Sequence, residues 1–397
     1  MNETSQNLHR TIETLVQTAQ FDVLIDTCKV ALADARSRSD GITEITSLIG
    51  LAQGHHYLGK FKEARVLIDG ARRFSEQVGD RELLMRALLT AADMRLTASY
   101  QPYEARQDYR EALQIAVAID DQEAISAALC GVADSYLMLD DRTRARRHAR
   151  QAFEIAQQHQ YRYLMARALA LVGVATTENQ PELALQAFED AMSIAQQDNF
   201  RLLELHLTAD IGNLLSREDR YADEGQLMLE KALALAKDFC SVPDEFVLYS
   251  KLGRALESRQ QFERAALYYS NMLERAQAWR ARAYEGQAFF ALGWLAYQRA
   301  HYDDAIANFE QALTIARETH NPFQEAQAEQ IIGSSYFNMS AFEPALDHYM
   351  SARSLYDALD NRTMATAMLQ RIVLVYVQRL FVRLMRWLGF DRSSDDA

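Results

Sequence analysis

A small residue returns along this chain about every forty positions. With Ala305 as reference, it stands at Ala64, Ala105, Ala145, Ala184, Gly225, Ala265 and Ala345, at steps of 39 to 41 residues. Seven positions further on come Ala71, Ala112, Ala152, Ala191, Ala232, Met272, Ala312 and Ala352. Four positions after the reference stand Ile68, Tyr109, Ala149, Phe188, Leu229, Tyr269, Phe309 and Tyr349. Around the reference, Tyr302, Ala305, Phe309, Ala312, Leu313 and Ala316 follow the three- and four-residue steps of one helical stripe. Ala288, Leu292, Leu295 and Ala296 form a similar stripe just before, and only a short join at His301 separates the two. Two amphipathic helices joined so closely turn back on each other as an antiparallel hairpin. A hairpin repeated at a fixed period buries its apolar face on its neighbours and stacks into an array.

The spacing therefore predicts an all-α solenoid of about nine hairpins over residues 1–360. A C-terminal amphipathic helix and acidic tail follow over 361–397. The joints carry helix-ending and helix-starting residues, Gly79-Asp80, Asp120-Asp121, Asp198-Asn199, His320-Asn321 and Asp360-Asn361. Pro102, Pro181 and Pro344 fall in the first turn of a second helix, and Pro243 and Pro322 open a first helix, where a missing N–H costs nothing. Two copies depart from the pattern: 81–120, whose turn reads TASYQPYE, and 200–240, which has one residue too many before Ala232. The first helix of the first copy, from about Asn7 to Thr18, is expected to cap the array with one side open.

The order LG…Y…Y-x-x-A-x-x-x-F-x-x-AL in residues 292–313 resembles the tetratricopeptide repeat. The period is about six residues longer than the usual one of about 34. In that respect the chain resembles kinesin light chains, spindle-orienting adaptors, bacterial peptide-pheromone receptors and the sensor domain of maltose-regulon activators, over roughly nine-tenths of its length. The resemblance implies a right-handed superhelix whose first helices line a concave groove. Carried over in that register, the groove residues are His206, Asn213, Arg217, Arg254, Phe290, Trp294, Tyr297, Gln298 and Asn338. Their chemistry suits an extended peptide: amides to pair with main-chain groups, arginines for a carboxylate, and aromatic area for anchoring.

Composition narrows the partners. The chain has 42 Lys and Arg against 55 Asp and Glu, a formal charge of −13, which disfavours nucleic acid. The basic run Arg142 to Arg150 reads as a solvated outer face. Cys28, Cys130 and Cys240 form no C-x-x-C and read as small apolar residues, which favours a reducing, cytoplasmic setting. No metal-ligand spacing, nucleotide loop or nucleophile motif is present, so the chain reads as non-catalytic, with no cofactor and no metal. The expected function is a protein- or peptide-binding scaffold or adaptor; the alternative is a peptide- or small-molecule-responsive regulator acting on a separate chain. Residues 361–390 break the repeat with a long apolar helix bearing Arg379, Arg383 and Arg386. Its first part is expected to cover the last repeat. Its later part, with Phe381, Leu384, Trp387 and Leu388, is expected to pack along the array, to dock a partner or second copy, or to lie in a membrane surface.

Overall fold

The computed structural model describes residues 3–387, and Leu388 and the acidic tail lie outside them. Nine helical hairpins and one further helix follow one another. They are α1 (Glu3–Gln17) with α2 (Phe21–Arg38), α3 (Gly41–Tyr57) with α4 (Phe61–Val78), and α5 (Arg81–Met94) with α6 (Pro102–Ala118). Next come α7 (Gln122–Met138) with α8 (Arg142–His159), α9 (Arg162–Thr176) with α10 (Pro181–Gln197), and α11 (Arg201–Leu215) with α12 (Ala222–Asp238). The last are α13 (Val242–Ser258) with α14 (Phe262–Ala278), α15 (Arg282–Gln298) with α16 (Tyr302–Glu318), α17 (Pro322–Asn338) with α18 (Phe342–Ala358), and then α19 (Arg362–Trp387). The hairpin boundaries fall where the periodicity puts them.

The joints are short because a single left-handed residue closes most helices. Ser39, Asp120, Gln160, His320 and Asp360 hold φ between +52° and +60°, which satisfies the last carbonyls and reverses the chain at once. Asp40, Asp80, Asp121 and Asp141 then accept the N–H three residues on and start the next helix. The two irregular copies have physical counterparts. In the third hairpin α5 ends in a π-helical turn, Arg95–Ser99, whose Arg95 pairs with the buried Asp108. In the sixth, a 3-10 turn at Asp219–Tyr221 absorbs the extra residue.

The recurring small residue marks the closest approach of the two helices. Ala64, Ala105, Ala145, Ala184, Ala265, Ala305 and Ala345 are wholly buried. In the sixth hairpin the backbones come closest: a Cβ at Gly225 would stand 2.4 Å from the Ser216 nitrogen and 2.6 Å from the Gly212 oxygen. In three hairpins the ring four positions after the reference lies over the first-helix glycine of its own hairpin, while Tyr109 covers Gly131 of the next one. Phe188 covers Gly173, Tyr269 covers Gly253 and Tyr349 covers Gly333.

Two compact units divide the chain, residues 1–271 with 278–281, and 272–277 with 282–397. The first unit closes on itself. Phe21 stacks on Tyr57 at 4.3 Å and packs with Ala19, Leu202 and Phe239, so the first hairpin meets the sixth. Gly59 likewise sits against Val242 and Trp279 of the seventh. This corrects the expectation for the opening helix: α1 is no open cap, because α11 packs on it. Cys240 also departs from expectation, being exposed at its turn while Cys28 and Cys130 are buried. In the second unit, Phe309, Ile306, Leu313 and Ile332 form a core between α16 and α17. Ala365, Met368, Ile372 and Val375 of α19 are buried at the end of the array, where α19 packs on α18.

Candidate functional site

Closure of the first unit shapes a partly open cavity of about 460 Å³. Its walls come from α1, α3, α5, α7, α9 and α11, the first helix of six consecutive hairpins. First helices do line the inner surface, as the repeat register implies. Apolar walls from Ile12, Ile49, Met85, Leu89 and Leu203 alternate with a dense polar set.

The polar set is organised around Asp93. Tyr109 donates to Asp93 Oδ1 at 2.5 Å and Arg167 donates to the same oxygen at 3.2 Å. Burial works against the Arg167 charge, but Asp93 outweighs it and holds the guanidinium firmly protonated. Beside it, burial raises the Asp134 carboxyl, and Arg167 offsets only part of that. Next to Asp93, His56 is 5% exposed and its Nε2 shares a hydrogen bond at 2.8 Å with Thr97 Oγ1, one turn beyond that aspartate. Burial lowers its pKa to about 4, so the ring is neutral. His206 Nε2 meets Asp244 Oδ1 at 2.9 Å. Burial disfavours the imidazolium, yet Asp244 outweighs it and raises the His206 pKa.

At the end of the cavity near the helix N-termini, His9 and Glu13 touch at 3.1 Å. Burial, followed by Glu123, raises Glu13 to about 7, while burial with Arg86 and Arg10 lowers His9 to about 3. Three buried polar atoms of the lining have no hydrogen-bond partner among the described residues: Gln53 Oε1, His56 Nδ1 and Arg86 Nε. Such orphans are uncommon in a folded interior. All three atoms are closed off within the wall itself.

The residues expected from sequence fall in both units. Of them, His206 lines the cavity. Asn213 is half-buried on α11, and Arg217 and Arg254 are exposed. Burial, then the neighbouring charges of Arg142 and Arg254, lowers the Arg217 pKa, so the three arginines share one region of the first unit. In the second unit, Phe290 meets Phe309 edge-on at 5.1 Å, Trp294 stacks on Tyr297 at 5.5 Å, and Asn338 donates to the Tyr297 hydroxyl at 3.0 Å. Phe290, Trp294 and Tyr297 are half-buried against the α16–α17 core, and Gln298 and Asn338 are exposed. Phe381, Leu384 and Trp387 are exposed on α19, and Leu388 lies outside the described residues.

The cavity residues of the second to sixth hairpins carry a signal of their own in the sequence. Gln53, Asp93 and Asp134 are 40 and 41 residues apart, and Arg167 and His206 are 39 apart. Each interrupts an otherwise apolar first helix at an equivalent level, which is how an inward polar row looks in a repeat protein.

A family model described as tetratricopeptide repeat matches residues 291–324. No curated protein matches the chain in sequence. Among solved structures, it is similar to a signal-transduction ATPase with a tetratricopeptide repeat sensor from Pyrococcus horikoshii, at 16% identity and a TM-score of 0.50. That likeness covers 88% of this chain and 56% of the ATPase. It is also similar to the Rap conjugation gene regulator of plasmid pLS20 in complex with the Phr* peptide, at 14% identity and a TM-score of 0.49, covering 91% and 97% of the two chains. A Rap protein complexed with Competence and Sporulation Factor aligns at 12% identity and a TM-score of 0.48, covering 95% and 99%. Identities this low speak for the fold. The class is defined: an all-α array of tetratricopeptide-type hairpins.

Proposed function

We propose that this chain is a non-catalytic peptide-binding scaffold whose first unit takes an extended peptide segment into its interior. The observation that carries the reading is the cavity, whose size lies within the roughly 300–1,000 Å³ of ordinary ligand sites and whose lining sets polar groups such as Asp93, Asp134, Arg167 and His206 among apolar walls. A peptide main chain offers alternating donors and acceptors, which such groups satisfy. Burial favours the neutral form of Glu13 and Asp134, and a neutral carboxyl both donates and accepts, as pairing with a main chain requires. Among the similar solved proteins, one Rap protein is complexed with Competence and Sporulation Factor and another with the Phr* peptide. The buried thiols are not nucleophiles: burial holds both Cys28 and Cys130 at about 12.

A second reading has its own support. The Phe21, Leu202 and Phe239 contact joins the first hairpin to the sixth, so a ligand that loosens or tightens it would change the curvature of the array, as a ligand-responsive regulator does. Scattering with and without bound peptide separates the two: a regulator changes its radius of gyration, whereas a passive scaffold does not.

The binding test uses the full chain, a random hexapeptide library and native mass spectrometry. Wild type retains a peptide subset, and Ala127→Trp, which fills the cavity, loses it at least tenfold while keeping its circular dichroism. Equal retention by Ala127→Trp overturns the cavity. If binding instead falls with Asn338→Ala, the ligand sits on the second-unit residues expected from the sequence.

A further inference from the structure

We propose that the free face of α19 docks on an anionic membrane surface, lying in the interface rather than crossing it. The helix has 26 residues against 17 for α18, the helix it packs on, so about nine residues run past its partner, about 14 Å at 1.5 Å per residue. Its inward residues end at Val375. On the other side Leu369, Val373, Tyr376, Val377, Leu380 and Leu384 are all exposed, and Trp387 at the end is 81% exposed. These positions recur at three- and four-residue steps and form one continuous apolar stripe, larger than scattered surface residues account for.

Charge selects the occupant. Residues 362–397 carry six arginines against Asp391, Asp395 and Asp396, a net +3, so the remaining chain carries −16 of the total −13. Within α19 itself there is no acidic residue. Arg379, which also pairs with Glu343, and Arg383 flank the apolar stripe. Arginines beside an aliphatic and aromatic face place their heads at lipid phosphates while the apolar side enters the acyl boundary. Trp387 and Tyr376 are of the type that prefers this boundary. A second copy meeting the same face would set two arginine rows side by side, with no acid on the helix to neutralise them.

Length selects lying over crossing. The stretch Arg362–Met385 has mean hydropathy 1.3 and is long enough in composition to span. Its first half is committed, however: Ala365, Met368, Ile372 and Val375 are buried. The twelve residues from Tyr376 to Trp387 extend about 18 Å as a helix, short of the ~30 Å hydrocarbon core.

Flotation of the full chain with vesicles tests this. Vesicles of phosphatidylcholine with 30% phosphatidylserine should carry at least tenfold more protein than phosphatidylcholine alone, with the excess lost in about 0.5 M salt as surface charge is screened. Leu380→Glu with Leu384→Glu, two exposed positions, should abolish flotation at unchanged circular dichroism, and Arg383→Gln should weaken it several-fold. Tryptophan emission should shift blue on anionic vesicles in wild type and not in Trp387→Phe. Absence of flotation, or flotation that the double glutamate variant retains, overturns the proposal. So does protein that resists carbonate extraction, which would indicate a spanning helix. A dimer in light scattering that the double variant dissolves, with no vesicle binding, assigns the face to a second copy instead.

Discussion

Replacing Gly253 by Ala tests the reason the forty-residue signature exists. In an open helix interior the change stabilises by about 1 kcal/mol, because alanine gives up less backbone entropy. Here the new Cβ would stand 2.2 Å from Tyr269 Cε1 and 2.6 Å from Cζ, where carbon pairs rest at about 3.5–4.0 Å. The ring cannot retreat: Tyr269 is 1% exposed and its hydroxyl donates to Glu257 at 2.8 Å. An overlap above about 1 Å against a pinned ring falls at the upper end of the ~1–3 kcal/mol for overpacking. The net expectation is a loss of about 2 kcal/mol. Gly70 on α4 is the control, since a Cβ there meets nothing within 4 Å, and Gly70→Ala should gain about 1 kcal/mol. Urea denaturation followed by circular dichroism reads the sign as a shift of the first midpoint, which is the usable quantity for an array that need not unfold in two states. Tyr269→Leu should recover part of the Gly253→Ala loss, giving a coupling of at least about 1 kcal/mol. A Gly253→Ala chain as stable as wild type, or a Gly70→Ala chain that is less stable, refutes the explanation.

Glu13 predicts a pH dependence. Its folded pKa of about 7 lies above the ordinary 4.5, so its contribution is full below 4.5 and is lost as pH rises through 7. Glu13→Gln should therefore match wild type in denaturation midpoint at pH 4.5 and exceed it at pH 8. A variant weaker at pH 8 would contradict the burial argument. Removing the cap at Asp80, which accepts from the Leu83 N–H at 3.0 Å, should cost about 1 kcal/mol as Asp80→Ala, read from the same urea curves; an unchanged midpoint would rule the cap out. Trp294→Ala should cost about 2 kcal/mol, roughly half a fully buried aromatic truncation, because its ring packs on the α16–α17 core. Exposed Asn338→Ala should stay within about 0.5 kcal/mol. If Trp294→Ala leaves thermal stability untouched, the indole is a surface anchor rather than core.

Much of this protein was legible before any coordinates. The hairpin boundaries, the nine copies, the buried small residues and the two irregular turns all follow from contacts between residues about twenty to forty positions apart, and periodicity records such contacts directly. The amphipathic character of α19 was readable for the same reason, since a single helix sorts its residues by angle; whether Phe381 and Leu384 pack on the array or stay exposed, as they do, was not.

The cavity was not legible. It exists because α1 and α2 meet α11, bringing Phe21 against Leu202 across most of the first unit. Whether six stacked hairpins close into a ring or stay open depends on a small rotation per hairpin that accumulates, and a one-residue change in a turn alters it without altering the repeat. Of the groove residues carried over by register, the cavity takes in His206, and the other eight lie outside its lining. Only the summed rotation decided that His9, Gln53, Arg86, Asp93, Arg167 and His206 would line one cavity.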